Sequence, residues 1–372
     1  MNSIALKKTI ISIILILIVT LILIFFVKKN NSTFSIYSVS NSNIFFDTFV
    51  SITIYDDNKS NKNINQELIL DCFEKCSYFE KIFSTTRSDS ELFIINHSSD
   101  YDVRMSDSLS ELISQSIYYN ELSEGAFNFT LGTLCNLWNF KNKTVPSQKD
   151  ITEGLSIIKS FEIKNNENIL SFILNQYINE NADKNYFENN NSINFQPGKP
   201  QIDLGGIAKG YIADKLKDYL TQKGVKSAII NLGGNVLLVG DKYGKNFTIG
   251  INYPFSESGE EIAVVELSDK SIVTSGVYER YFQKDGKLYH HILDPETGYP
   301  VENNLYSVTI IANSSTTADA LSTAVFVMGM DEGLEFINAL EEVYAVFVTS
   351  ENELILSNGL SLSENNIISI ID

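Results

Sequence analysis

Three histidines occur in 372 residues, and two of them, His290 and His291, are adjacent in the stretch YHHILDPETGYPV from Tyr289 to Val301. An imidazole with an ordinary pKa of ~6.5 can take a proton from a hydroxyl at neutral pH. In an extended segment neighbouring side chains point to opposite faces, so one of the pair faces any given site and the other packs. The sequence Asp294-Pro295-Glu296-Thr297-Gly298 has the composition of a tight turn, which can hold the pair in place. A satisfied histidine beside a turn accounts for the same residues. A second constellation lies in ADALSTAVFVMG, Ala318 to Gly329, where Asp319 and Thr323 are four apart. A carboxylate and a hydroxyl one helical turn apart can share a hard cation such as Mg²⁺, which leaves room for water or substrate phosphates. Polar surface and helix capping by Thr316 or Thr317 suit those residues as well. A third stretch, IDLGGIAKGYIADKL from Ile202 to Leu216, reads as Asp203, a Gly205-Gly206 turn and a helix with Lys209 in its first turn. Free backbone N–H groups, the helix dipole and the lysine together suit a phosphate. The stretch matches neither G-x-G-x-x-G nor the Walker pattern, and turn geometry alone explains its glycines. NLGGN, Asn231 to Asn235, reads as a hairpin turn.

These groups need elements to position them. IFFDTFVSITIY, Ile44 to Tyr55, reads as one strand followed by a turn at Asp56-Asp57-Asn58. Leu68, Cys72, Cys76, Phe79 and Phe83 mark one helical face; Leu109, Leu112, Ile113, Ser116 and Ile117 mark another. The Asn-rich segment from Asn165 to Pro200 reads as hairpins or loops at the edge of the fold. Beyond it the pattern predicts a helix at Ala208 to Leu220. Strands follow near Ser227 to Asn231, Val236 to Gly240, Phe247 to Ile251, Ile262 to Leu267, Ser271 to Ser275 and Ser307 to Ala312. Helices at Thr317 to Met328 and Glu332 to Leu340 and a hairpin at Val343 to Leu356 close the chain. Strands mostly adjoin strands, which favours α+β over a doubly wound parallel fold.

Composition narrows the partners. The chain is 44% apolar and 11% aromatic, enough for a sizeable core, and carries a net charge of -18 with a pI near 4.6. Such a field repels nucleic acid, and a phosphate-bearing ligand needs a local positive site. From Thr9 to Val27 no charge appears over about 19 residues, or ~28 Å of helix, close to the ~30 Å of a bilayer core. The run lacks a small-residue cleavage site and reads as an uncleaved anchor within residues 1–29, followed by a polar linker at 30–43 and a folded domain at 44–372. Lys7 and Lys8 on one side balance Lys28 and Lys29 on the other, so charge does not set its orientation. Cys72, Cys76 and Cys135 have no zinc or redox spacing and read as buried thiols.

Taken together and in order, DLGGIAKGY, NLGGN, TSGVYERYF with DGKLYHHILDPETGYP, and ADALSTAVFVMG closely resemble the motifs of the ApbE family, the FAD:protein FMN transferases. EGAFNFTLGTLCNLWNF, Glu124 to Phe140, resembles that family's flavin-contacting segment, and FFDTFVSITIY its first strand. The resemblance covers nearly everything after the linker. It implies an α+β fold of the tunnelling type, attachment to the cell membrane with the catalytic domain on the extracytoplasmic side, and Mg²⁺-dependent transfer of FMN from FAD to a Thr or Ser of a target protein, releasing AMP. Flavin-carrying subunits of ion-pumping or electron-transfer oxidoreductases are the implied acceptors. Carried over by residue, the resemblance gives a metal held by Asp319, Thr323 and the backbone carbonyl of Gly206, with Ser322 nearby. It gives flavin-nucleotide contacts at Phe46, Ala126, Phe127, Asn128, Asp203, Lys209, Ser275, Gly276 and Ile292, and it makes His291 the base beside the reacting phosphate and His290 a packing residue.

Three departures from the family pattern stand out. Asn128-Phe129 replaces a common Asp-Pro, Phe46 stands where Met is frequent, and the lipid-bearing cysteine of many relatives is absent. Hydrolysis of FAD to FMN and AMP would use the same residues with water as acceptor. A non-catalytic flavin carrier would be expected to lose His291 or the metal pair, and both are present.

Overall fold

A computed structural model describes residues 36–98, 102–138, 140, 142–159, 192–194, 200–256 and 259–371. The segment read as an anchor and most of the Asn-rich segment lie outside these residues. Among the described residues no helix is long and apolar enough to cross a membrane.

The expected single strand at Ile44 to Tyr55 is instead a hairpin, β1 (Tyr37–Phe45) and β2 (Thr48–Asp56). β1 therefore starts at Tyr37, inside the stretch read as linker. The chain reverses at Phe46 and Asp47, both at positive φ of 54° and 56°. A two-residue turn of this kind usually carries Asn or Gly, and the sequence advertises neither. β3 (Asp102–Arg104) pairs with β4 (Ser192–Asn194). Then come β5 (Ser227–Leu232), β6 (Asn235–Gly240), β7 (Phe247–Asn252), β8 (Glu261–Leu267) and β9 (Ser271–Gly276). A hairpin of β10 (Tyr281–Lys284) and β11 (Lys287–His290) precedes β12 (Leu305–Ala312), β13 (Tyr344–Thr349) and β14 (Leu354–Leu356). A last pair, β15 (Leu360–Leu362) and β16 (Ile367–Ile370), goes beyond the hairpin expected to close the chain.

Eight strands form one sheet in the order β1-β2-β5-β6-β9-β12-β13-β14, with every neighbouring pair antiparallel. Much of this sheet is buried on both faces, because consecutive residues enter different cores. Leu237, Val273, Ile310 and Ala345 face a helix-side core, while Leu238, Ile272, Ile311 and Val346 face a second core under the small sheet β15-β16-β8-β7. Unbroken apolar runs such as that in β12 follow from this placement.

On the helix side, Lys62–Phe83 buries the predicted face of Leu68, Cys72, Cys76, Phe79 and Phe83, and Asp107–Leu122 buries that of Leu109, Leu112, Ile113, Ser116 and Ile117. Cys72 and Cys76 are free and buried, and burial pushes each thiol up to about 12. Helix Ala208–Gln222 packs against helix Ser315–Met328, and the latter lies on β9 and β12. Its N-cap is Ser314, whose hydroxyl receives the Thr317 N–H, rather than either of the threonines proposed from sequence. A third cluster of Leu131, Leu134, Trp138, Ile151, Phe282 and Leu293 seats the β10–β11 hairpin on the helical segment after Gly132. Trp138 Nε1 donates to Gly298 O at 2.9 Å and fixes the turn beyond the histidines.

Candidate active site

Two helix starts meet here and cap each other. The N-terminus of Ala208–Gln222 has no side-chain cap of its own, and its Gly210 N–H donates to Asp319 Oδ2 at 2.8 Å. In return Asp214, on that helix, accepts from Ser315 N (2.8 Å), Thr316 N (2.9 Å) and the hydroxyls of Ser314 and Thr316. Each carboxylate thus satisfies backbone donors that a helix start leaves open, and sits where the dipole favours negative charge. Close approach requires glycine at 210, since a Cβ there would stand 2.2 Å from Ser315 O and 2.8 Å from Asp319 Cβ.

Asp319 is buried at this crossing. Burial pushes its carboxyl above the ordinary range, against the pull of Lys209, the Gly210 N–H and the Asn235 side chain. One turn on, Ser322 donates to Asp319 O at 2.9 Å and shares a 2.8 Å hydrogen bond with Ser275, which also approaches Thr323 Oγ1 at 3.4 Å. Gly206 lies against Thr323 and Phe127: a Cβ on it would be 3.2 Å from the threonine hydroxyl and 3.3 Å from the phenyl ring. Gly206, Ser275, Asp319, Ser322 and Thr323, drawn from separate segments of the chain, therefore share one place in space. Among the described residues no group of three or more His, Cys, Asp or Glu is placed to hold a metal. One carboxylate among hydroxyls is instead a hard-oxygen set that suits Mg²⁺ with water or phosphate completing its shell.

Around this centre, the turn at Glu124 and Gly125 (φ 51° and 90°) delivers Ala126 and Phe127. Phe127 is pinned by Ser123 Oγ to its N–H (2.9 Å) and Asn120 Nδ2 to its carbonyl (2.7 Å). Asn128 turns its Oδ1 back to Thr130 N and Oγ1, at 2.9 and 2.7 Å. Asp203 Oδ1 accepts from Gly205 N at 2.7 Å, and its own N–H donates to Phe129 O at 2.8 Å, so it ties the glycine turn to the Phe127 segment. Among the described residues leading into Asp203, 200–202, there is no strand, which corrects the strand-like reading of that run. Gly276 ends β9 where a Cβ would meet the Tyr278 ring at 2.8 Å. Ile292 is buried. Phe46 lies at the same end of the sheet but three strands from β9, roughly 14 Å across, so it belongs to the rim of the site rather than its centre.

The histidines divide as expected from their alternation. His290 is buried, with Nε2 3.0 Å from Val301 O and its ring edge-on to Phe326. His291 keeps some exposed surface, its N–H donates to Arg280 O at 3.1 Å, and its Nδ1 is shut off from solvent without a well-formed partner. Burial above all, then His290, Arg280 and Lys209, push its imidazole down to about 3. The charge of Lys209 acts on Asp319, His291 and Glu279 alike, so all three lie within its electrostatic reach. Glu279, exposed along part of its length, has its carboxyl pushed up chiefly by burial, with Lys209 opposing and Asp319 adding. The turn after the histidines forms as read: Asp294 receives Glu296 N at 2.8 Å and Thr297 Oγ1 at 3.0 Å, and Gly298 adopts φ 71°.

Gly210, Asp214, Asn235 and Arg280 went unremarked in the sequence. The contacts of Gly210, Asp214 and Asn235 run between elements far apart in the chain, so no local spacing announces them; that of Arg280 with His291 lies across a single hairpin.

The profile of the ApbE family matches residues 46–347. The chain belongs to the ApbE family. It is 36% identical over 289 residues to a FAD:protein FMN transferase of Klebsiella pneumoniae, covering 77% of this chain and 83% of that protein. A FAD:protein FMN transferase of Treponema pallidum is 33% identical, with 76% of each chain covered. Among solved structures, an ApbE protein of Thermotoga maritima superposes with a TM-score of 0.70 at 31% identity, over 87% of this chain and 97% of that one. The flavin transferase ApbE of Vibrio cholerae gives 0.69 at 26% identity, over 87% and 98%. The α+β architecture described above is thus that of the ApbE family.

Proposed function

We propose that this chain transfers FMN from FAD to a Thr or Ser hydroxyl of a target protein and releases AMP. The observation that carries the reading is the convergence of Gly206, Ser275, Asp319 and Thr323 beside Lys209 and His291, in a chain whose relatives are FAD:protein FMN transferases. The acceptor oxygen bonds to the phosphorus of the FMN half, the bond from that phosphorus to the bridging oxygen breaks, and AMP leaves with the bridging oxygen. Asp319, Thr323 and the Gly206 carbonyl are the residues that would hold Mg²⁺, which neutralises charge on the pyrophosphate when bound. Lys209 and the positive end of the helix it opens bind the same phosphates. Phe127 and Ala126, with Phe46 at the rim, give the flavin an apolar wall.

His291 accepts the hydroxyl proton. An imidazole held near 3 is a weak base before substrate enters. Burial is the main cause, and Arg280 and Lys209 add to it; an anionic pyrophosphate offsets the share of those two charges, so substrate binding removes that part of the depression.

Incubating the protein with FAD, Mg²⁺ and a candidate acceptor should give an acceptor band that fluoresces after denaturing electrophoresis. AMP and free FMN without a labelled band would establish the hydrolase instead. Asp319→Ala should abolish labelling, and full activity in that variant would remove the metal assignment. We further infer that the apolar segment from Thr9 to Val27 tethers the chain to the cell membrane with its catalytic domain on the extracytoplasmic side, where a flavin-carrying electron-transfer subunit is the acceptor.

A further inference from the structure

NLGGN has so far supplied only a turn, in which Asn231 Oδ1 accepts the Gly234 N–H at 3.1 Å. Its last residue, Asn235, opens β6 and is fully buried. A buried primary amide is ordinarily satisfied at both ends. Here one end is satisfied: Oδ1 accepts from Ser315 Oγ at 2.7 Å, and Ser315 in turn accepts from Ser271 Oγ at 2.9 Å. The hydroxyl chain fixes which end of the amide is the acceptor, and so turns Nδ2 away from Ser315. That Nδ2 has no well-formed hydrogen bond among the described residues.

The direction it faces follows from helix geometry. Ser315 and Asp319 are four apart on one helix and lie on the same face, about 6 Å apart. An amide whose oxygen reaches Ser315 from β6 therefore lies against the helix face that carries Asp319, and the Asn235 side chain does favour the ionised carboxylate there. Gly210 holds Oδ2 of the same carboxylate from the other helix.

We propose that Asn235 is a positioning residue for the cation site: it steadies the Asp319 carboxylate from the sheet side while the Gly210 N–H steadies it from the helix side, leaving one carboxylate edge directed at the cation. The inference rests on Asp319 being a metal ligand, as argued under the proposed function. Outer groups that orient a ligating carboxylate commonly change metal affinity 10- to 100-fold.

The test is Mn²⁺ titration of the full chain, followed by electron paramagnetic resonance with and without ADP, on wild type, Asp319→Ala, Asn235→Leu and the double variant Asn235→Leu/Ser315→Ala. Asn235→Leu keeps the volume but strands the Ser315 hydroxyl; the double variant removes both polar partners and should recover thermal stability. The expected result is Mn²⁺ affinity at least about 10-fold weaker in both Asn235 variants, unrecovered when stability returns. Affinity that recovers together with stability means that Asn235 acts only through packing, and overturns the proposal. Affinity lost in Asp319→Ala but undiminished in both Asn235 variants overturns it while sparing the metal reading. No Mn²⁺ binding by wild type, or binding unchanged in Asp319→Ala, removes the metal reading and this inference with it.

Discussion

His291, the proposed base, starts from an adverse position, and that position has two measurable consequences. His291→Ala should lower the rate of FMN transfer by roughly 10²- to 10⁴-fold while FAD affinity stays within a few-fold, as stopped-flow binding and single-turnover labelling would show. Stability should also depend on pH. The unfolded chain binds a proton at His291 near ~6.5, whereas the folded one does so only at about 3. Between those values the unfolded state holds more protons, so stability falls as pH drops from ~6.5 towards 3 and is unaffected by this group above neutrality. His290 is depressed in the same direction by burial. Asp319, with its raised carboxyl, works the other way in acid, so the His291 share is isolated by comparison: urea midpoints at pH 7 and 4.5 should differ less in His291→Gln than in wild type. At this scale the histidine pair and the Asp319–Thr323 spacing were legible because they are local patterns. Asp214 and Asn235 were not, since a cap and an orienting amide acquire meaning only when two distant segments touch.

The hairpin at Phe46-Asp47 is an element held by a neighbour. Glu80 Oε1 accepts the Phe46 N–H at 2.8 Å, and its other oxygen meets Arg87 at 3.2 Å, which is itself clamped to Asp89. A phenylalanine at positive φ is costly and persists where surroundings fix it. Glu80→Ala should therefore weaken FAD binding roughly 10-fold with little change in the transfer rate of the saturated enzyme, and Glu80→Gln, which keeps an acceptor, should largely restore it. Equal FAD affinities in the three proteins would show that this clamp does not serve the rim. At the helix crossing, Gly210→Ala should cost about 1–3 kcal/mol in chemical denaturation, because backbone rather than a pliant side chain stands in its way. The helices were readable from apolar spacing, and the faces read on Lys62–Phe83 and Asp107–Leu122 are buried. The first strand was misjudged because its turn uses no glycine or asparagine. The cap of Ser315–Met328 was placed too late because three hydroxyl residues follow Ser314 in a row and only the fold selects among them.

As a whole, the molecule sets its site at one end of a sheet that is buried on both faces, where the turns at Phe46-Asp47 and Gly233-Gly234 and the end of β9 assemble along one rim. The α+β class followed from strands adjoining strands; which strands neighbour one another did not, because β9 pairs with β6 and β12 rather than with its successors in the chain. The net charge of -18 makes the local cluster of Lys209 and Arg280 more consequential, since little else draws in a dinucleotide. If the apolar N-terminus tethers the chain, the full-length protein should sediment with membranes and resist salt extraction, and removal of residues 1–35 should release a soluble protein that still labels its acceptor. Full-length protein recovered in the soluble fraction would end the tether proposal.

The mutual capping of Ala208–Gln222 and Ser315–Met328 also bears on timing. Asp319 on one helix and Asp214 on the other interlock like two hooks, so neither rod can roll or slide without unlatching both. The carboxylate is thereby aimed during folding, and the cation proposed for this site would meet a receptacle already cut to shape instead of having to gather its own ligands.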